Sequence, residues 1–271
     1  MSARPTPAGV DMPSSGTIPE RFDVHGCRIT RTTLDRAVSA AIARRESETG
    51  GYACFVNVHV AVTAQGNESL RAAINESWCS FPDGKPIYWA GRVQKGGPLG
   101  KVSGPDFLPA LLAARAERPL RHYFYGSTES VLEGLRSRIG RDFPEAVVVG
   151  MESPPFRPLS AVEVAETQAR IRESGADFVW VGLGAPKQEL WMEANWQALA
   201  PALLFGVGAA FDFHAGVVQR APAWMCNSGL EWLHRLATEP RRLWWRYLTT
   251  NSRFLWLTLR GAVGRGLRPE D

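Results

Sequence analysis

Apolar residues along this chain fall into short continuous runs separated by stretches of helical period. The runs are 52–58 (YACFVNV), 78–81 (WCSF), 121–126 (RHYFYG), 146–150 (AVVVG), 177–182 (ADFVWVG) and 202–208 (ALLFGVG). Uninterrupted apolarity of this kind predicts strands covered on both faces, as in a parallel sheet. Between the runs, NESLRAAINES, DFLPALLAARAE, ESVLEGLRSRIG, AVEVAETQARIRES and KQELWMEANWQAL carry the helical period. Ahead of them a turn-bearing β segment, FDVHGCRI, precedes a helix that puts Leu34, Val38, Ala41 and Ile42 on one face behind a Thr cap. Strands alternating with helices predict an α/β fold with a largely parallel sheet and right-handed crossovers. From about 217 the strands stop and a helical tail follows. Residues 1–20, with four prolines among Ser, Thr and Gly, read as a flexible leader, leaving 21–216 as the α/β core and 217–271 as a helical appendage.

In an open parallel sheet, ligands bind outside the carboxyl ends of the strands. The residues there are Asn57, the turn Pro82-Asp83-Gly84, Gly126-Ser127, GLGAPKQE (182–189) and FGVGAAFDF (205–213). Their convergence on one rim predicts a ligand cleft. Asp83, a carboxylate beside a glycine at a strand end, is the candidate general base. Asp106 reads instead as the cap of a helix that begins at Phe107, and Asp212 as a turn former. GGPLGKV has Lys95 where a phosphate loop needs its first Gly and Val102 where it needs Ser or Thr. GLGAPK and GVGAAF lack the third Gly of the dinucleotide fingerprint, which argues against an oxidoreductase.

Charge sharpens the division. The 271 residues carry +4, but positions 217–271 hold nine Arg, no Lys and four acids, a net +5, so the first 216 sum to −1. Five of the ten Trp lie in the same tail. A basic, Trp-rich tail on a neutral body fits a membrane surface, a phosphorylated ligand or nucleic acid. Nucleic-acid tracking is disfavoured, because the charge is not Lys-rich and the Trp residues fall at helical spacing. A non-catalytic nucleotide- or nucleic-acid-binding α/β protein stands as the alternative to an enzyme. The four cysteines are far apart and read as buried apolar residues, and no Asp-x-Asp or His-carboxylate cluster suggests a metal. No run of 18 apolar residues predicts a membrane span, and no apolar N-terminal region predicts a secretory signal, which points to the cytosol.

Several long motifs then carry a resemblance. FPDGKPIYWAGR (81–92), KVSGPDFL (101–108), HYFYGSTESVLEGL (122–135), VGLGAPKQELWM (181–192), GVGAAFDFHAGVVQRAPAWM (206–225) and GLEWLHRLATEPRRLWWRYL (229–248) resemble the WecG/TagA/CpsF family of bacterial glycosyltransferases, from about Phe22 to Leu255. The resemblance implies a Rossmann-like core with a C-terminal appendage, on the cytoplasmic face of the cell membrane. It implies an inverting, metal-independent enzyme without a cofactor, moving a hexose or N-acetylhexosamine from a nucleotide diphosphate donor, typically UDP-linked, to a polyprenyl-diphosphate-linked sugar. Carried over residue by residue, it makes Asp83 the base and places Asn57, Lys101 and Gln188 at the substrate. Gly126, Gly182, Gly184 and Asp212 complete the rim set, and Arg235, Arg242 and Arg246 meet the diphosphate from the appendage. Two positions depart from the family pattern: Phe55 stands where a Thr is usual, and Trp245 where an Arg is usual, with Arg246 beside it. Residues 241–260 have the composition of a helix lying in the membrane interface, with Trp244, Tyr247, Leu248 and Leu255 near one face. Self-association is left open.

Overall fold

The computed structural model describes residues 20–266, and the side chains of Arg242 and of 261–266 are outside that description. The leader expected over 1–20 therefore lies, but for Glu20, outside the described residues, as does the end of the tail. An antiparallel hairpin of β1 (Arg21–Val24) and β2 (Cys27–Thr30) precedes α1 (Leu34–Glu46). The main unit then runs β3 (Gly51–Val56), α2 (Val58–Ala64), α3 (Glu68–Glu76), β4 (Cys79–Pro82), α4 (Lys85–Arg92) and α5 (Gly104–Leu112). It continues through β5 (Arg121–Gly126), α6 (Glu129–Asp142), β6 (Val147–Glu152), α7 (Ala161–Glu173), β7 (Phe178–Gly182), α8 (Lys187–Leu199), β8 (Leu203–Gly206) and α9 (Ala210–His214). The helices α10 (Ala223–Ser228), α11 (Glu231–Thr238) and α12 (Pro240–Gly266) complete the described chain.

The six strands from β3 to β8 form one sheet in the order β4-β3-β8-β7-β5-β6, with every neighbouring pair parallel. All six apolar runs are strands, and the expected α/β fold holds. One core layer stacks Phe55, Phe81, Phe107, Trp180 and Phe205, with ring centroids 5.0 to 6.0 Å apart between Phe107 and its neighbours. The other layer, on the opposite face, holds Tyr52, Cys54, Val56, Val179, Val181 and Leu204. All four cysteines are free and buried. The hairpin covers the outer edge of β4: Ser80 N–H donates to Thr30 Oγ1 at 3.1 Å and the Ser80 hydroxyl donates to Arg28 O. An open edge that could pair with another chain is thereby closed.

Side-chain caps set many helix starts. Thr33, Asn57, Asn67 and Thr128 accept from the first turns of α1, α2, α3 and α6, and Ser160 with Glu163 forms a capping box on α7. Three boundaries differ from the sequence reading. The strand expected over 52–58 stops at Val56, because Asn57 turns the chain into α2. The helix expected to begin at Phe107 begins at Gly104, so Asp106 lies in its first turn rather than at its cap. The segment KPIYWAGR, directly after the turn Pro82-Asp83-Gly84, is a helix to which the sequence reading assigns no element.

The chain leaves β5 toward β6 and leaves β7 toward β8, in opposite directions across the sheet, so the carboxyl ends of β5 and β7 flank a topological switch. Backbones approach closely there. Gly126 ends β5 at φ +122°, and a Cβ on it would lie 2.6 Å from the carbonyl carbon of Gly182. We expect Gly126→Ala to destabilise the fold by about 1–3 kcal/mol, read as a lower denaturant midpoint at unchanged slope. An unshifted midpoint would show that this strand end is slack.

Candidate active site

Asp83 sits one residue beyond β4, and its N–H donates to Val56 O at 3.0 Å, continuing the ladder past the strand. Gly84, at φ +83°, then turns the chain into α4, a conformation that an L side chain resists. Next to it, Asn57 divides its amide between two tasks. Its Oδ1 accepts from Val60 N–H at 3.1 Å and caps α2, while its Nδ2 donates to Asp83 Oδ2 at 3.3 Å. The cap fixes which end of the amide faces the carboxyl. Asn57 and Asp83, 26 positions apart, are thus joined because β3 and β4 are parallel neighbours in register.

Burial pushes the Asp83 carboxyl up to about 6, assisted by the negative charge of Glu231 and, more weakly, of Asp106. The Asn57 hydrogen bond and Lys101 pull the other way without cancelling it. A carboxylate so placed ionises near neutrality and retains appreciable affinity for a proton, as a general base requires. Beside it, Asp106 pairs with Lys101 Nζ at 3.0 Å and with Arg220 at 2.7 Å, and accepts from Ser103 Oγ at 2.5 Å. Burial alone would raise the Asp106 carboxyl, but Ser103, Lys101 and Arg220 outweigh it and hold it below the usual range. Lys101, expected at the substrate, is therefore engaged with Asp106 in this state of the protein.

The other rim residues lie on the same carboxyl edge. Gly126 and Gly182 end paired strands, Gly184 follows at φ +75° with open space around its α-carbon, and Asp212 lies in the first turn of α9. Three strand spacings separate β4 from β7, about 14 Å of rim. Gln188, expected to reach a nucleotide sugar, is buried: its Nε2 donates to Gly206 O at 2.7 Å and to Glu189 Oε1 at 2.9 Å. Its Oε1 has no hydrogen-bond partner among the described residues, and a Cβ on Gly208 would lie 3.4 Å from it. Phe55 is in the core against Phe81 and Phe107.

The C-terminal helices reach the site from one side. Arg235 of α11 lies over the Phe213 ring at 5.3 Å and near Glu239 at 3.8 Å. Arg246 of α12 faces α2, where burial and then its charge push the His59 imidazole down to about 4. Arg242 lies outside the described side chains. Trp245 is exposed beside Trp244, with ring centroids 5.3 Å apart. Three participants were not singled out from sequence: Glu231, Arg220 and His59. The first two stand inside the quoted motifs GLEW and QRAP, but nothing local marks a single Glu or Arg as facing a carboxylate more than a hundred positions away. Among the described residues, no three His, Cys, Asp or Glu side chains are placed to hold a metal ion.

The model of the glycosyl transferase WecG/TagA/CpsF family matches residues 22–267. Among curated proteins, the chain is 28% identical over 212 residues to an N-acetylglucosaminyldiphosphoundecaprenol N-acetyl-β-D-mannosaminyltransferase of Bacillus spizizenii, covering 78% of this chain and 79% of the relative. It is 28% identical over 205 residues to a protein of the same description from Bacillus subtilis, covering 75% and 77%.

The raised Asp83 has a consequence for stability. In the unfolded chain the carboxyl titrates near 3.8 and in the fold near 6, so the folded state holds the extra proton between those values. Stability from this group is complete below pH 4 and is lost as pH rises through about 6. Asp83→Asn, neutral throughout, is expected to match the native protein below pH 4 and exceed it by about 2–3 kcal/mol above pH 7. Denaturant unfolding of both at the two pH values checks this, and a pH-independent difference would refute it.

Proposed function

Because the chain belongs to the WecG/TagA/CpsF family of glycosyltransferases, we propose that it moves a hexose or N-acetylhexosamine from a nucleotide diphosphate donor, UDP-linked, onto a sugar carried on a polyprenyl diphosphate. The reaction serves cell-surface polysaccharide synthesis. The observation that carries this reading is Asp83, held at the strand-end rim by Asn57 with its proton affinity raised. In a single displacement, Asp83 takes the proton of the acceptor hydroxyl as that oxygen attacks the anomeric carbon. The bond from that carbon to the nucleotide diphosphate breaks on the opposite face, and the configuration inverts. The β-linkage in the relatives' name fits inversion of an α-linked donor.

Charge developing on the departing diphosphate needs cations or N–H groups already in place. Arg235 and Arg246 bring guanidinium groups to the site's flank, Arg242 lies on the same helix as Arg246, and Lys101 adds a cation near Asp83. The reading invokes no metal ion. It divides the chain into a core of 21–216 that binds the donor and performs the chemistry, and an appendage of 217–271 that meets the diphosphate and the lipid.

The outer face of α12 supports the lipid contact. Trp244, Trp245, Leu248, Leu255, Trp256 and Leu259 are all exposed there, along about 22 Å of helix. Leu243, Thr250 and Phe254 face inward, with Phe254 against the His25 ring at 5.0 Å. Tyr247, expected on the apolar outer face, turns inward to meet Trp232 edge-on at 6.0 Å. Among the described residues, no helix is long and apolar enough to cross a membrane. A helix with Trp and Leu outward and Arg at its flanks suits the membrane interface, which supports peripheral association with the inner face of the membrane.

Asp83→Asn should bind nucleotide sugar as the native protein does and lose transfer by about 10²–10⁴-fold, assayed with a panel of UDP- and GDP-sugars and a polyprenyl-diphosphate-linked N-acetylglucosamine. Near-native turnover would remove Asp83 as the base. Replacing Trp245, Leu255 and Trp256 together by Glu should abolish co-sedimentation with anionic vesicles while leaving the protein folded. Retained binding would show that α12 is not the lipid contact.

A further inference from the structure

Arg220 lies in the link between α9 and α10 and touches an acid on each side. Its Nη2 meets Asp106 Oδ1 on α5 at 2.7 Å, and its Nε stands 3.7 Å from Glu231 Oε1 at the start of α11. All three side chains are half-buried, where an ion pair is screened less than at the surface. Asp106 is itself anchored to the core by Lys101 and Ser103. A continuous chain of opposite charges therefore runs from the core, through one guanidinium, to the C-terminal helices. At its end the Glu231 carboxylate comes close enough to Asp83 to act on its charge.

We propose that Arg220 and Glu231 are positioning residues, with Arg220 clasping α11 to the core so that the Glu231 carboxylate is held facing Asp83 and the C-terminal helices enclose the base. This deepens the glycosyltransferase reading and rests on it for the role of Asp83. A guanidinium suits the clasp, because its charge and donors are spread over separate nitrogens, so that Nη2 meets one acid while Nε stands near the other, whereas an ammonium has a single nitrogen. The groups facing Asp83 are Asn57 from the end of β3, Lys101 from the segment ahead of α5, Asp106 from the first turn of α5, and Glu231 from α11. Three acids against one Lys and one Arg leave this cluster a net negative charge, so it favours a proton. Opening the clasp removes both Glu231 and the protein that covers Asp83, and both losses lower its proton affinity.

The test uses the full-length protein with Arg220→Gln, Glu231→Gln, the double variant and Arg220→Lys. The readouts are amide exchange across 223–238, NMR titration of the Asp83 carboxyl, and the acid limb of kcat/KM. Arg220→Gln should speed exchange in α10 and α11 about tenfold, leave β3 and β4 protected, and move the Asp83 titration and the acid limb to lower pH. Glu231→Gln should move both in the same direction by about half a pH unit. The double variant should exchange no faster than Arg220→Gln alone, because the two act through one contact. Arg220→Lys should restore only part of the protection.

Unchanged exchange in Arg220→Gln would overturn the clasp. An Asp83 titration unmoved in both single variants would overturn the positioning role, and a loss of stability spread over the whole chain would make the contact merely structural. Failure of the native protein to transfer any sugar would count against the glycosyltransferase reading instead. Exchange and titration would still decide the clasp, because neither requires turnover.

Discussion

The sheet is buried on both faces, and that constraint governs where chemistry can occur. Six parallel strands with mostly apolar side chains above and below admit few polar groups along their length, Ser80 and His122 among them, each with a hydrogen-bond partner. Charged groups gather instead at the two edges where the strands end. On the amino edge Asp177 is buried, and Arg45 at 3.0 Å, Arg118 at 2.7 Å and the Arg121 N–H at 2.8 Å neutralise and saturate it. On the carboxyl edge Asp83 is left incompletely compensated. Both edges hold buried charge, but only the second leaves a carboxylate raised.

The difference lies in local balance. Asp83 loses hydration and gains a single side-chain donor, Asn57, while two further carboxylates stand nearby. Asp106, a few ångströms from the same cations, gains Ser103, Lys101 and Arg220 and falls below the usual range. Two aspartates on one rim are thus driven in opposite directions, one toward accepting a proton and the other toward holding cations in place. Environments that push neighbouring titratable groups apart commonly mark a division of labour in an active site.

The C-terminal helices serve two surfaces. Inward, α11 and α12 deliver Glu231, Arg235 and Arg246 toward the core and pack Leu243 and Phe254 against it. Outward, α12 carries a stripe of Trp and Leu that the fold leaves uncovered. A helix packed within a globular fold would bury that stripe, so its exposure is the feature on which the proposed lipid contact rests.

Much of this was legible in the amino-acid order. The six strands follow from apolar runs, because burial on both faces leaves no alternation to hide them, and the rim residues follow from where those runs stop. Asp83 stood out for its place between a strand and a glycine. The boundary at Asn57 did not, because an Asn after an apolar run ends a strand and caps a helix with the same side chain. Asp106 read as a cap because a carboxylate before an apolar helical segment is ordinary cap chemistry, and only the fold brings Lys101 and Arg220 to it. Phe55 looked like a missing hydroxyl in the site until the pleat turned it into the core. Sequence determined the layers, the edge that holds the site and the basic tail, since each depends on local pattern. Tertiary structure decided that Glu231 comes near enough to Asp83, 148 positions away, to act on its charge, and that Arg220 links Glu231 to Asp106, because contacts between charges depend on where chains cross, which no local spacing records.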